Sequence, residues 1–277
     1  MRLASLCTLK KYLEFEQYRA DFSFLGELVF KPYAGFTDAY TTEDYFDYMA
    51  AYVEKYGCSL ELLAQARQVF EEVSNQADRL LEEMCDAVLA TGCLAVGCDI
   101  TYEQRNASLA LFKRLKEKKP ELITMLGGNS CTGSAGQALA DYAPQVDYVF
   151  SGEADDVLVP VLELLEAKAG SAVINQKFPS VLIRGSEICS HARLNLEECA
   201  YPDFDDYFIE LQKLGLQKRI HPCLLLEGSR GCWWGEKQRC NFCGIHTSPE
   251  TIKYRQKSSA RVVAELKYQA ERYMIKS

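Results

Sequence analysis

Leu94-Ala-Val-Gly-Cys98, Leu122-Ile-Thr-Met-Leu126 and Asp147-Tyr-Val-Phe150 are three short apolar runs. Gly92 and Asp99 bracket the first, Gly127-Gly128 ends the second, and Ser151-Gly152-Glu153 closes the third. Runs of this length between turn formers read as buried strands. Helical patterns fill the gaps. Glu103 to Lys119 sets Ala107, Leu109, Leu111, Phe112 and Leu115 on an apolar side, with Pro120 just past its end. Gly133 to Tyr142 and Asp155 to Lys168 read as two more helices. Strands alternating with helices predict right-handed crossovers and a parallel, doubly wound α/β sheet.

Upstream, Leu60 to Leu89 carries apolar residues at three- and four-residue spacings, as an amphipathic helix requires. Tyrosines and acids alternate between Tyr33 and Tyr48 without clear period, which reads as loops and short helices. Leu3 to Leu13 reads as a helix and Glu14 to Tyr18 as a poorly defined strand. A doubly wound domain normally opens with a strand, so one sheet edge is expected to lie unpaired, an association hazard. Downstream, 170–222 reads as a connector: Ser180 to Arg184 and Glu187-Ile188 form a hairpin about Gly185-Ser186. A polar stretch with Pro202, Asp203, Asp205, Asp206 and Glu210 follows it. Cys223-Leu-Leu-Leu-Glu227 then reads as a strand running into Gly228-Ser-Arg-Gly-Cys232, and Arg261 to Tyr273 as the helix that completes a β/α unit.

The bulk numbers bound the function. The 277 residues, 48% hydrophobic and 25% charged, suit a folded globular chain of one large or two ordinary domains. No stretch has the ~18 uncharged apolar residues that span a bilayer, and Met1 to Lys11 lacks the apolar core of a secretory signal, so a cytoplasmic protein with no membrane partner is expected. A net charge of −8 argues against nucleic acid as a partner, yet leaves room for a basic or neutral peptide.

Twelve cysteines are many for such a chain. Nine stand singly and read as small buried hydrophobes. The other three form Cys232-Trp-Trp-Gly-Glu-Lys-Gln-Arg-Cys240-Asn-Phe-Cys243, a Cys-x7-Cys-x2-Cys spacing. Soft thiolates select iron–sulfur clusters or zinc. Three thiolates on a cubane leave one iron open to a chelating cosubstrate, and Gly228, Gly231, Gly235 and Gly244 allow the backbone to curl around a bulky group. Ligands in the loop after a strand would lie at the carboxyl mouth of a β/α barrel. Zinc held by Cys232, Cys240, Cys243 and His246 is the plainer alternative. A doubly wound sheet offers a second site, the crevice at the carboxyl ends of its strands, where Thr101 and Tyr102, Gly127-Gly128-Asn129 and Ser151-Gly152-Glu153 are the candidates. Tight strand-to-helix turns would account for those glycines equally well.

Glu227-Gly-Ser-Arg-Gly-Cys-Trp-Trp-Gly235, Cys240-Asn-Phe-Cys-Gly-Ile245, Tyr254-Arg-Gln-Lys-Ser258 and Arg261-Val-Val-Ala-Glu-Leu266 together resemble radical S-adenosylmethionine (SAM) enzymes that mature ribosomally made peptides of the bacteriocin type, with an N-terminal cobalamin-binding-like domain. Tyr102 to Leu111, Gly127 to Gly133 and Val146 to Glu153 resemble that Rossmann-like domain in order and spacing. The resemblance implies a [4Fe-4S] cluster on Cys232, Cys240 and Cys243 that binds SAM and donates one electron, giving a 5′-deoxyadenosyl radical. It implies Phe242 beside the adenine, cobalamin as a further candidate cofactor, a precursor peptide as substrate, and a ferredoxin or flavodoxin as electron donor. No histidine lies in 86–169, so a corrin there would lack a histidine axial ligand. The expected organisation is a helical segment plus Rossmann-like domain over 1–169, a connector over 170–222, and the first β/α unit of a radical SAM partial barrel over 223–277. The further barrel units are missing, so the chain reads as a fragment of an enzyme.

Overall fold

The computed structural model describes residues 25–35, 41–56, 60–101, 103–187, 194–238 and 253–274. Leu3 to Leu13, Glu14 to Tyr18 and Ile188 lie outside them. The central sheet is built from β1 (Ala95–Asp99), β2 (Ile123–Gly127), β3 (Tyr148–Phe150) and β4 (Val181–Leu182), in that spatial order. β1, β2 and β3 are parallel, and β4 runs antiparallel to β3, with Val149 opposite Leu182 and Phe150 opposite Val181. The fold is therefore mixed α/β. No reversal of strand order occurs among the described strands, so they contain no topological switch point.

The sheet is buried on both faces because successive side chains alternate. Leu126, Val149 and Leu182 point to one side, and Met125, Tyr148, Phe150 and Val181 to the other. On the first side lie α3 (Leu60–Ala90), α4 (Arg105–Lys118) and α5 (Ser134–Tyr142), through Leu81 and Cys85, Leu109 to Leu115, and Leu139 and Ala140. Crossovers that step the same way, of the one hand such connections favour, put α4 and α5 on one face. α6 (Leu158–Glu166) and α7 (Ser171–Lys177) cover the second face with Val161, Leu165 and Ile174. Phe112, fully buried, sits at the centre of the larger core.

α1 (Leu25–Phe30) and α2 (Thr42–Tyr56) pack a smaller core with α3 around Val29, Phe46, Phe70 and Ala77. Glu27 of α1 closes the start of α4. Its two carboxylate oxygens accept the Arg105 and Asn106 N–H groups, each at 2.9 Å, filling the positive end of that helix with the chain's own anion. The expected loops between Tyr33 and Tyr48 give way at Thr42 to a fifteen-residue helix. A reciprocal cap starts it: the Thr41 N–H donates to Asp44 Oδ2 at 2.6 Å, and the Asp44 N–H donates to Thr41 Oγ1 at 3.1 Å.

Three other expectations need correction. The hairpin about Gly185-Ser186 is not formed among the described residues. Val181–Leu182 instead becomes the fourth strand of the main sheet, since both side chains are fully buried against it. The polar stretch after Pro202 is a helix, α8 (Asp205–Lys213), begun by Asp203 accepting the Asp205 N–H at 2.8 Å. Cys223 to Glu227 forms no regular element and pairs with no described strand, and Leu225 is 77% exposed. Pairing begins only at β5 (Ser229–Arg230), antiparallel to β6 (Arg255–Gln256). The following α9 (Ser259–Tyr273) matches the expected helix and is capped by the Ser258 hydroxyl, which accepts the Arg261 N–H at 3.2 Å. Tyr273 holds α9 to α8, its ring stacked on Phe208 with centroids 4.7 Å apart. Beneath α9 the Lys257 ammonium and Glu265 carboxylate make a buried pair at 2.7 Å. No described helix is long and apolar enough to cross a membrane.

Gly128 tests how β1 and β2 are joined. Its φ is +97°, and an added Cβ would lie 2.7 Å from the Ile100 carbonyl oxygen and 2.8 Å from the Ile100 nitrogen. Gly128→Ala should cost about 2–4 kcal/mol in urea unfolding, from strain and backbone collision together. Gly92→Ala, with φ +65° and nothing within 4 Å, should cost only about 1 kcal/mol. Equal losses would contradict the packing role of Gly128.

Candidate metal and cofactor site

The carboxyl ends of β1, β2 and β3 bring Thr101, Gly127-Gly128-Asn129 and Ser151-Gly152-Glu153 to one edge of the sheet. Much of their hydrogen-bonding capacity is used within the chain. The Ile100 N–H donates to the Gly127 carbonyl at 2.8 Å, and Ser130 Oγ donates to the Thr101 carbonyl at 3.0 Å. The Thr101 N–H donates to Gln104 Oε1 at 2.8 Å. Buried Ser151 accepts the Gly133 N–H on its hydroxyl at 3.2 Å and donates its own N–H to the Ser180 carbonyl at 2.8 Å. Asn129 is exposed in a short turn. Tyr102 lies outside the described residues. The close approach that Gly128 permits is to the backbone at Ile100, so the chain itself accounts for that glycine.

Cys232 follows β5 after Gly231 alone. It is half-buried, and its Sγ accepts the Gly235 N–H at 3.3 Å as the chain turns through Trp233 to Lys237. The two tryptophans are exposed and meet edge to face, with the Lys237 ammonium 5.2 Å above the Trp233 ring. Cys240, Phe242, Cys243 and His246 lie outside the described residues. Among the described residues no group of three or more His, Cys, Asp or Glu is arranged to hold a metal ion. The two ends of the cysteine segment are nevertheless fixed. Ser229 pairs with Gln256, Arg230 with Arg255, and the Lys257 N–H donates to the Gly228 carbonyl at 2.9 Å. The described chain leaves this narrow neck at Gly231 and rejoins it after Tyr254. In donor chemistry the set fits a soft metal or iron–sulfur group, and an N–H directed at a ligand sulfur is a usual element of such sites.

The neck is joined to the sheet by a charge cluster. Arg230 holds Glu227 with two bonds, Nε to Oε1 at 2.7 Å and Nη2 to Oε2 at 3.0 Å, and reaches Asp155 Oδ2 at 3.0 Å. Glu153, at the end of β3, accepts from both guanidinium nitrogens of Arg255, at 3.1 Å for Nη1, and lies 3.2 Å from Arg230 Nη1. It also accepts the Leu194 N–H at 2.9 Å. A strand-end acid read as a cofactor contact is thus engaged by the chain's own arginines. The arginines were visible in Ser229-Arg230 and Tyr254-Arg255, but nothing local to either pointed at Glu153.

Burial works against charge on Glu153. The Arg255 hydrogen bond, the Leu194 N–H and both guanidinium charges outweigh it and hold its pKa below the ordinary 4.5. Asp155 likewise lies below 3.8, with burial opposed by Arg230. Arg230 is held charged, its hydrogen bond to Glu227 outweighing burial.

Compared with known proteins, the chain matches no family model, no curated protein and no solved structure.

A carboxylate whose pKa is lowered by folding stabilises the fold fully above its unfolded value, and that contribution is lost as pH falls through the folded value. Glu153→Gln should therefore cost about 1–3 kcal/mol at pH 7. The gap to the unsubstituted chain should shrink steadily below the ordinary value of 4.5. Urea midpoints of both proteins across pH 3–7 measure this. A gap that widens in acid would contradict the ion pairing.

Proposed function

We propose that the chain belongs to a radical SAM enzyme of the peptide-maturing type, with Cys232, Cys240 and Cys243 as the thiolates of one [4Fe-4S] cluster. The observation that carries this is the Cys-x7-Cys-x2-Cys segment with its glycines, held between the strands of one hairpin neck. Three soft donors in one loop suit a cluster with an open iron better than a closed structural zinc site. The group, when bound, would supply a single electron to SAM.

The chain's own residues have definable tasks in this reading. Gly235 directs an N–H at the Cys232 sulfur, which lowers the electron density there and tunes reduction potential. The Glu153 cluster ties the neck to the loop that follows β3. Phe242 would stand at the adenine. The same reading takes the sheet as the Rossmann-like, cobalamin-binding-like domain and 223–277 as the opening of the SAM domain. The Cys223 to Glu227 segment leaves Leu225 and Leu226 exposed, an apolar edge that a partner strand could cover. A precursor peptide, a ferredoxin- or flavodoxin-type donor and a cytoplasmic setting complete the proposal.

Anaerobic reconstitution with iron and sulfide should give a broad absorption near ~400 nm and roughly four irons per chain. Cys240→Ala should lose most of that iron. Stoichiometric zinc in anaerobically purified protein, with no iron uptake, would instead establish the Cys3His alternative through His246 and sink the cluster reading.

A further inference from the structure

We propose that Glu153 is a positioning residue for Cys232: it seats that side chain by gripping both strands of the neck from the loop after β3. The proposal rests on the assignment of Cys232 as a ligand, but its physical content is the seating of that side chain.

The neck has two residue pairs, too few to be stable alone. One of those pairs sets Arg230 directly opposite Arg255, and like charges across a ladder destabilise it. Glu153 resolves both difficulties. Its carboxylate faces both guanidinium groups, at 3.1 Å from Arg255 Nη1 and 3.2 Å from Arg230 Nη1. All three side chains are only 21–24% exposed, so water screens the attraction weakly. Leu194 completes the grip: its N–H donates to Glu153 at 2.9 Å while its carbonyl accepts from Arg255 Nη1 at 2.7 Å. Asp155 touches Arg230 but makes no bond to Arg255 among those described, so it neutralises one strand without tying the two together. Cys232 lies two residues beyond Arg230, and no described residue between them makes another fixed contact to the sheet. With Glu153 neutralised, Arg230 keeps Glu227 and Asp155, but Arg255 loses its described carboxylate partner and the two strands lose the anion they share, so the neck should open locally on the Arg255 side.

The test reads thiols in the metal-free full chain, so it stands whether or not a cluster forms. Iodoacetamide labelling, resolved by peptide mass spectrometry, follows half-buried Cys232 against buried Cys85 and Cys131 and exposed Cys223. Glu153→Gln should raise the Cys232 rate roughly tenfold, as local opening exposes it, with Cys85 and Cys131 still protected. Asp155→Asn, which also removes one charge from beside Arg230, should change Cys232 much less. Arg255→Lys, which keeps the charge and loses the two-pronged grip, should fall between them. An unchanged Cys232 rate in Glu153→Gln, an equal rise in Asp155→Asn, or deprotection of Cys85 and Cys131 together with Cys232 would each overturn the proposal. Failure of the cluster reading would appear separately, as absent iron uptake with the labelling pattern intact.

Discussion

Arg230 and Arg255 stand opposite each other across a ladder of two pairs, and the Glu153 carboxylate pairs with both from the loop after β3. The sheet and its helices are held by burial on two faces. Among the described residues the segment carrying Cys232 forms no comparable apolar cluster: α9 turns the charged pair Lys257–Glu265 inward and leaves Val263 and Leu266 exposed. Where apolar burial is scarce, charge and hydrogen bonds must fix position. A half-buried carboxylate with two guanidinium partners is among the stronger such contacts, because it is charge-assisted and only partly hydrated.

The same economy recurs at the other end of the fold. Glu27 places a carboxylate on the first N–H groups of α4, the helix after β1. In nucleotide-binding α/β sheets that position commonly receives an anionic ligand. Here an internal acid takes it, and Gly128 is required by the backbone at Ile100. Both observations reduce what a corrin or a phosphate would need to explain at this edge. They move the weight of the functional proposal onto the cysteine loop and its neck.

Much of the sheet was legible in the sequence because burial on both faces writes continuous apolar runs. Leu122 to Leu126 and Asp147 to Phe150 contain β2 and β3 within a residue of their limits. Cys223 to Glu227 is also an apolar run yet forms no ladder with any described strand, since a strand needs a partner backbone as well as apolar side chains. α2 was obscured by weak periodicity, although its Thr41 and Asp44 cap was readable. α8 depends on Tyr273, whose hydroxyl accepts the Phe204 N–H from 69 residues away. The task of Glu153 was hidden for the same reason, its partner Arg255 lying 102 residues further on. Residue types and spacing mark the cysteines; only the fold reveals what seats them.

A cluster held by Cys232, Cys240 and Cys243, as proposed, would keep one iron open to SAM. Low-temperature electron paramagnetic resonance of the reduced, reconstituted chain, recorded with and without SAM, tests it most directly. A cluster signal that shifts when SAM is added, and that Cys240→Ala removes, is the predicted result. A cluster signal indifferent to SAM would contradict the claim.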